Sequence, residues 1–562
     1  MRVFSLSSNP NSPCMLFQMD GLTIMLDCGV NLNSLSLFLP LPLVNNEAFS
    51  GLPSYKIKDI DQSMLNLDDI KDINSIPFID NDPELSLPEF NLISLKTIDA
   101  ILVSNYRAIL ALPYLTEHLG FEGAIFATEP TLEYGKMLME ELCEFINRVP
   151  KHKRSEDWRH SHVFRKLFPH MDEHVTPFSW KRCYNLKDIS NCISKVKRVS
   201  FDEKTNLFGL ATISAHSSGL GIGSSNWIIQ ANSVKLSYLS GSSQFSTHTK
   251  PFDLPPLKDC DILICTDITN AHACEPDSML ANFCEALLTT LKLGGNVLIP
   301  CNPTGVVYDL LECLASYLDQ SGFSHVPIYF ISPVAKSSLA HANIYSEWLN
   351  SQKQSKVYIP EYPFIHTEMM NANRLFVYPH IHGRFSETYK SPCIVFTGSP
   401  SLRVGPAVHF IDIWGSSHTN SIIFIESDVP YVEAIKPYHG KMFMKIYYCP
   451  IDTRLTFAQT NKLIKDLNPK HTVVPSQYIN SNEVDVHLDY SLDVIPLSRE
   501  GSVDIQINSD FENIEIEAAL AKNVVPQMID NKVVLPIIGK LDMFDNRIVL
   551  KVIFYTIHGL IV

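Results

Sequence analysis

The 562-residue sequence has thirteen cysteines but no CxxC pair, no GxSxG and no GxxxxGK[ST]. Scattered cysteines in odd number argue against a zinc ribbon or a disulfide framework and for free thiols in a reducing compartment. Without GxSxG or a phosphate-cradling lysine loop, the common serine-hydrolase and nucleotide-hydrolase chemistries lack support. No apolar run approaches the ~18 residues of a membrane span. The first residues, "MRVFSLSSNPNSPCMLF", contain no long apolar core of a secretion signal. The expectation is a soluble intracellular protein with no membrane contact. Positive charge is also scarce: 45 Lys and Arg face 60 Asp and Glu, for a net charge of −15. Such a surface as a whole does not attract nucleic-acid phosphates, so any RNA contact must be local or indirect, through a partner.

What is present is an α/β chain long enough, as a soft prior, for three to four domains. "CMLFQM", Asp20-Gly21 and "LTIMLDCG" predict a hairpin, because Asp-Gly between alternating apolar runs favours the tight turn. Residues 31–97 are proline-punctuated and acidic in the middle, and predict a long surface loop with short elements. From residue 100 onwards strand-like runs such as "AILVS", "DILICTD", "GNVLIP" and "CIVFTG" alternate with helical ones such as "TLEYGKMLMEELCEFINRV" and "VYDLLECLASYLDQ". This pattern implies more than one sheet. After "HTVVPSQY" helical patterns fade into a β-rich region, residues 479–562.

"ILVSNYRAILALPYLTEH", residues 101–118, runs from a buried strand through a polar loop into a helix, the place where α/β hydrolases put their chemistry. Together with "LDCG" at the end of the preceding strand, it resembles the metallo-β-lactamase-fold RNA nucleases of the β-CASP group. Their corresponding motif is SHxHxDH followed by ALP. Further strings, "FLPLPLV", "ATEPT", "GSSNWIIQ", "YFISPVA", "IVFTGSPSLR" and "YCPIDTRL", follow in family order to about residue 480. After about Asn531 the tail departs from the family and reads as shortened. The resemblance implies a metallo-β-lactamase αββα sandwich from residues 1–267 and 444–478. A β-CASP α/β lobe, 268–443, would be inserted into it, and 479–562 would form a β-rich dimerisation appendage.

Laid on the family's metal motifs, the residues do not bind zinc. The HxHxDH ligand positions fall at Asn105, Arg107, Ile109 and Leu110, and the loop is two residues short. Asn is a poor ligand, Ile and Leu have no lone pair, and Arg is a permanent cation. The next histidine position is Leu220 in "HSSGLGIGSSN", with His216 out of register. The metal-bridging carboxylate falls at Ser242 and the strand-end acid at Thr266. Asp267, one residue late, is expected to point the other way on a strand. The last two histidine positions are Asp452 and Val474. Only Asp27, which orders the site, survives. The expected cofactor set is therefore empty, and the chain reads as a pseudo-nuclease that pairs with an active β-CASP paralogue in an RNA 3′-end-processing assembly. A degenerate subunit of pre-mRNA cleavage and polyadenylation, or a nuclease with a rearranged site, are the alternatives. Arg107 is a candidate to stand where the metal cation would be, pairing with Asp27 or Asp452; the rival expectation turns it to solvent.

Weaker signals remain. Residues 148–174 carry a basic run, with Arg148, Lys151, Lys153, Arg154, Arg159, Arg165 and Lys166 as a possible contact patch for RNA or a partner. The plainer reading of the same stretch is a solvated linker. His160 with His162, His170 with His174, and "PHIHG" at 379–383 offer HxH or i,i+4 pairs, but no further ligands stand in register, and surface histidine pairs are common. "SSGLGIGSSN" is GxGxG, not GxGxxG, and predicts a tight turn.

Overall fold

The computed structural model describes the chain except residues 20, 43–48, 58–64, 149–154, 170, 172–174, 232–233, 270, 272–273, 480–486, 490–491, 507–514, 523–526, 530–531, 535–536, 538, 545–546 and 552–562. Met15–Met19 and Leu22–Leu26 pair antiparallel, with Met19 opposite Leu22 and Gly21 at φ +75°. They lie within a seven-stranded sheet whose order is Val196–Val199, Ala124–Thr128, Ala100–Leu102, Leu22–Leu26, Met15–Met19, Arg2–Ser5 and Ser502–Asp504. A second seven-stranded sheet runs Thr205–Leu207, Ala211–Ser217, Ser225–Ala231, Val234–Ser240, Ile262–Thr266, His471–Pro475 and Val494–Leu497.

Between Thr266 and His471 the chain leaves this second sheet and builds a third. It has six strands, all parallel, in the order Leu375–Tyr378, Ile328–Ile331, Ile394–Thr397, Val297–Pro300, Ser421–Phe424 and Lys445–Tyr448. Its central strands are short and buried throughout. That is how parallel strands read when helices cover both faces, here Pro276–Lys292, Val307–Gln320, Ala335–Ile344 and Pro406–Trp414 among them. The C-terminal ends of these strands carry the loops that matter below.

Two sequence expectations change. Residues 31–97 are not surface loop throughout. Leu37, Phe38, Ile57, Leu67, Ile70 and Ile79 are buried and form an apolar cluster with Trp158, Phe164 and Trp180. Prolines broke the regular elements, but the apolar side chains between them still had to be covered. Nor does an appendage begin at residue 479. Val494–Leu497 extends the second sheet beside His471–Pro475, and Ser502–Asp504 extends the first beside Arg2–Ser5. The compact body therefore runs to Ile505, and a separate unit spans residues 506–562. By itself that unit holds a three-stranded sheet, a two-stranded one and the short helix Ala518–Ala521. Among the described residues no helix is long and apolar enough to cross a membrane.

Candidate functional site

Asp27 follows directly on Leu22–Leu26. It is fully buried at φ +62°, a left-handed conformation that Asp tolerates better than most residues. Its carboxylate accepts hydrogen bonds from the Ser104 amide at 2.7 Å and the Tyr238 hydroxyl at 2.8 Å. Burial pushes its pKa up to about 6, against these hydrogen bonds, which favour the ionised form. Asp27 thus ties the first sheet to Tyr238 of the second.

The neighbouring loop turns Asn105, Ile109 and Leu110 inward. Asn105 is buried, and its side-chain oxygen accepts from the amides of Arg107 (3.0 Å) and Ala108 (3.1 Å), which is a turn-capping role. Ile109 and Leu110 join the main apolar cluster. Ile109 packs where helix Glu129–Asn147 carries Gly135, and a Cβ on that glycine would collide with the Ile109 side chain.

Charge gathers on the other side. The Arg454 guanidinium, only 2% exposed, donates to Asp267 Oδ1 (2.5 Å), Asp428 Oδ1 (2.6 Å) and Asp452 Oδ2 (2.6 Å), while its Nε reaches Asp452 Oδ1 at 3.0 Å. Arg107 pairs with Asp428 and, at 3.3 Å, with Glu426. Asp428 therefore bridges two arginines, and four carboxylates surround two guanidinium groups. Burial pushes Asp267 up to about 6 despite Arg454 beside it. For Asp452, burial is outweighed by Arg454 and by the hydroxyls of Ser427 (2.6 Å) and Thr269 (2.7 Å), which hold it well below the usual carboxylate range. Burial raises Glu426, with Arg107 opposing.

These contacts correct three expectations. Arg107 does turn toward carboxylates, but they are Glu426 and Asp428, not Asp27 or Asp452. Asp452 is not left uncompensated, because Arg454 satisfies it. Asp267 does not point away: it lies past the end of strand Ile262–Thr266 at φ +53°, where strand alternation no longer holds, and its carboxylate faces the cleft.

The other positions aligned with the family's ligands in the sequence, Leu220, Ser242, Thr266 and Val474, carry small or apolar side chains. Ser242 donates to Asn226 Oδ1 (2.7 Å) and Thr266 to the Tyr238 hydroxyl (3.3 Å). Val474 lies in an apolar cluster beneath the second sheet. Leu220 comes so close to Gly241 (φ +61°) that a Cβ there would meet it at 2.9 Å and Asp267 Oδ2 at 2.6 Å. The cavity left among Asn105, Arg107, Glu141, Asp267, Glu426 and Asp428 measures about 100 Å3, small beside the ~300–1,000 Å3 of ligand sites. Zinc needs imidazole, thiolate or free carboxylate donors. Among the described residues no histidine or cysteine lines the cavity, and of its four carboxylates Asp267, Glu426 and Asp428 already face guanidinium cations, leaving Glu141 as a single free donor. The residues present do not fit a two-zinc centre.

Comparison with known proteins agrees with this architecture. Residues 80–246 match the metallo-beta-lactamase superfamily domain and residues 307–431 the Beta-Casp domain. Integrator complex subunit 9 of Homo sapiens is 44% identical over 557 residues, covering 98% of this chain and 84% of the human protein. The chain belongs to the Integrator complex subunit 9 family. The Dictyostelium discoideum homolog of Integrator complex subunit 9 is 34% identical, covering 94% of this chain and 79% of its own. Subunit 3 of the cleavage and polyadenylation specificity factor from the same organism is 22% identical, covering 82% of this chain and 51% of its own.

In this Integrator complex subunit 9 relative, the expected basic patch loses Arg159. Arg159 is buried and engages Glu84 with one guanidinium nitrogen, at 2.7 and 2.6 Å, and the Pro177 carbonyl at 3.0 Å with the other. It is a structural residue, not a contact residue. Arg148 faces Glu144 at 3.8 Å, Arg165 and Lys166 are exposed on a short helix, and Lys151, Lys153 and Arg154 lie outside the described residues. His160 and His162 stack with ring centroids 6.0 Å apart, His380 faces Glu144 at 3.3 Å, and His170 and His174 lie outside the described residues. Sequence reasoning missed Arg454, Glu426 and Asp428. A signal was present: "ESD" directly follows a buried strand at the C-terminal edge of a parallel sheet, where open α/β sheets place their functional groups.

Proposed function

We propose that this chain is a non-catalytic scaffold subunit of the Integrator complex. It pairs with the active β-CASP endonuclease subunit in the nucleus for 3′-end processing of small nuclear RNAs and cleavage of nascent RNA polymerase II transcripts. The observation that carries this reading is Arg454: a buried guanidinium held by Asp267, Asp428 and Asp452 in the region where the family's nucleases hold metal. Catalysis by two metal ions activates water and steadies the leaving oxygen. A guanidinium saturated by three carboxylates does neither. Filling the rest of the site with Ile109 and Leu110 favours folding by roughly 1.5–3 kcal/mol per side chain buried, without a metal. The sandwich is read as residues 1–267 and 449–505 around an inserted lobe that keeps strand Lys445–Tyr448, so its expected limits at 443 and 478 both move. The separate unit 506–562 serves dimerisation. The higher identity to Integrator complex subunit 9 than to the polyadenylation factor supports the first assembly over the second.

Two measurements test this. The purified chain alone, with zinc or manganese added, is expected to leave single-stranded RNA intact. Cleavage that disappears on Asp267→Asn would overturn the pseudo-nuclease reading. Tagged chain recovered from nuclear extract is expected to bring down a β-CASP endonuclease paralogue together with further Integrator subunits; recovery of polyadenylation factors instead would reassign the assembly.

A further inference from the structure

Far from the arginine network in chemistry, a second polar cluster is assembled on strand Ala211–Ser217. His216 is 6% exposed, and its Nε2 is engaged by the Ser214 hydroxyl at 3.0 Å. Its Nδ1 faces two carboxylates at once, Asp202 Oδ1 at 2.8 Å and Asp253 Oδ2 at 3.3 Å. Both carboxylates are placed by the backbone. The Asp202 amide donates to the Ala215 carbonyl (2.9 Å) and the Asp253 amide to the Ser217 carbonyl (3.0 Å), so the residues flanking His216 anchor its two partners.

One ring proton cannot donate linearly to two carboxylate oxygens that converge on it, and two carboxylates so close need a cation between them, either the imidazolium of His216 itself or a bound metal ion. Among the described residues neither Asp202 nor Asp253 has a lysine or arginine partner; Lys250 places its ammonium over the Phe201 ring instead, 5.3 Å from the centroid. We propose that Asp202, His216 and Asp253 form a divalent transition-metal site of the zinc class, outside the degenerate cleft. One imidazole nitrogen and two carboxylate oxygens, all within 4.8 Å of one another, supply three ligands of the type zinc accepts. The half-open side at Asp202, 61% exposed, leaves the fourth position to water. Ser214 plays the outer role, fixing the orientation of the ring through its second nitrogen.

The site's place in the fold suggests what it does. The segment that ends in Asp253 also carries Thr249, which bridges to Leu349 of the inserted lobe, and Lys250, whose amide donates to the Trp348 carbonyl at 3.0 Å. Metal bound here clips the Asp202 turn, the His216 strand and this junction segment together, a structural and not a catalytic role. It is independent of the pseudo-nuclease reading.

The test uses the full chain, stripped with chelator and titrated with zinc chloride by calorimetry, then with cobalt chloride followed by visible absorption. Wild type is expected to bind one zinc per chain, to develop a d–d band with cobalt, and to melt at higher temperature when zinc is added. Asp202→Asn, at an exposed position that leaves the core untouched, is expected to weaken binding at least tenfold, as is Asp253→Asn. His216→Gln is expected to abolish it where that buried variant folds. No zinc bound by wild type would overturn the site. Binding unchanged in both aspartate variants would also overturn it and place the metal elsewhere. Binding lost instead on Asp267→Asn would move it to the cleft, and so count against the proposed function as well.

Discussion

The loop at residues 104–112 and the turn at 452–455 contain neither histidine nor cysteine, and they are built in opposite ways. In the first, Ile109 and Leu110 are hydrocarbon and packed into the main core. In the second, Asp452 and Arg454 keep charge and bury it. The difference follows from what lies behind each position. Helix Glu129–Asn147 closes over the first loop, with Gly135 opening a slot, so an apolar side chain finds a dry surface to cover. Behind the second lie Asp267 at a strand end and the Glu426–Asp428 loop of the inserted sheet, carboxylates that only a cation can hold together. The two halves of the cleft are therefore filled in two stable ways, decided by whether the neighbours are hydrocarbon or carboxylate.

The sharpest way to break this contrast is to remove the buried cation. Arg454→Met keeps length and loses charge, leaving Asp267 and Asp452 uncompensated. It is expected to destabilise the main body by about 3–5 kcal/mol in urea unfolding. A variant as stable as wild type would show that the carboxylates do not need the guanidinium.

Next comes pH. Burial lifts Glu141, on the cavity wall with one oxygen unpartnered, to about 8, and Asp27 and Asp267 to about 6. A carboxyl whose folded pKa is raised contributes stability that is complete below its unfolded value and is lost as pH climbs to the folded one. Stability is thus expected to fall from about pH 4 to pH 8, with Glu141 alone responsible for up to about 1.4 kcal/mol per pH unit at the upper end. Glu141→Gln, which mimics the neutral acid, is expected to flatten the decline between pH 6 and 8 in thermal melts. Asp452 acts the other way: its depressed pKa protects the fold until pH drops below the ordinary aspartate range.

On the apolar side, Gly135→Ala gains helix propensity of about 1 kcal/mol yet forces a methyl against Ile109. Overpacking of this kind costs about 1–3 kcal/mol, so a net loss is expected. In the double variant with Ile109→Ala, which removes the Cγ2 that the new methyl meets, the combined loss is expected to be less than the sum of the two single losses. Additive effects in that cycle would mean that the two residues do not share the slot.

Much of this was legible in the residues. "LDCG" and "SNYRAIL" locate the loop that follows the first buried strands, and Ile109 and Leu110 sit in the core as their types demand. The arginine network was not legible, because Arg454, Glu426 and Asp428 converge from segments that only the inserted lobe brings together. Asp267 was misjudged for a local reason: period-two alternation ends with the strand, and a left-handed residue re-aims its own side chain. Arg159 in a basic run was misjudged for a global one, since a charge run says nothing of a buried Glu84 seventy-five residues away.

The smallest expected effect separates the two arginines themselves. Arg107 stands between the regions: its backbone belongs to the apolar loop, while its side chain reaches across to Glu426 and Asp428 of the inserted lobe. Its side chain is 31% exposed, against 2% for Arg454, and Asp428 keeps Arg454 as a second partner if Arg107 is lost. Solvent can therefore screen the pair, and no carboxylate is left alone in a dry environment except Glu426, which retains the Asn302 amide at 3.3 Å. Arg107→Ala should cost about 1 kcal/mol, well short of the Arg454 effect, and the cost should shrink in high salt as a partly exposed ion pair requires. A loss equal to that of Arg454→Met, insensitive to salt, would mean that the two guanidiniums act as one buried unit and that the border between the apolar and charged halves of the old site lies on the other side of Arg107.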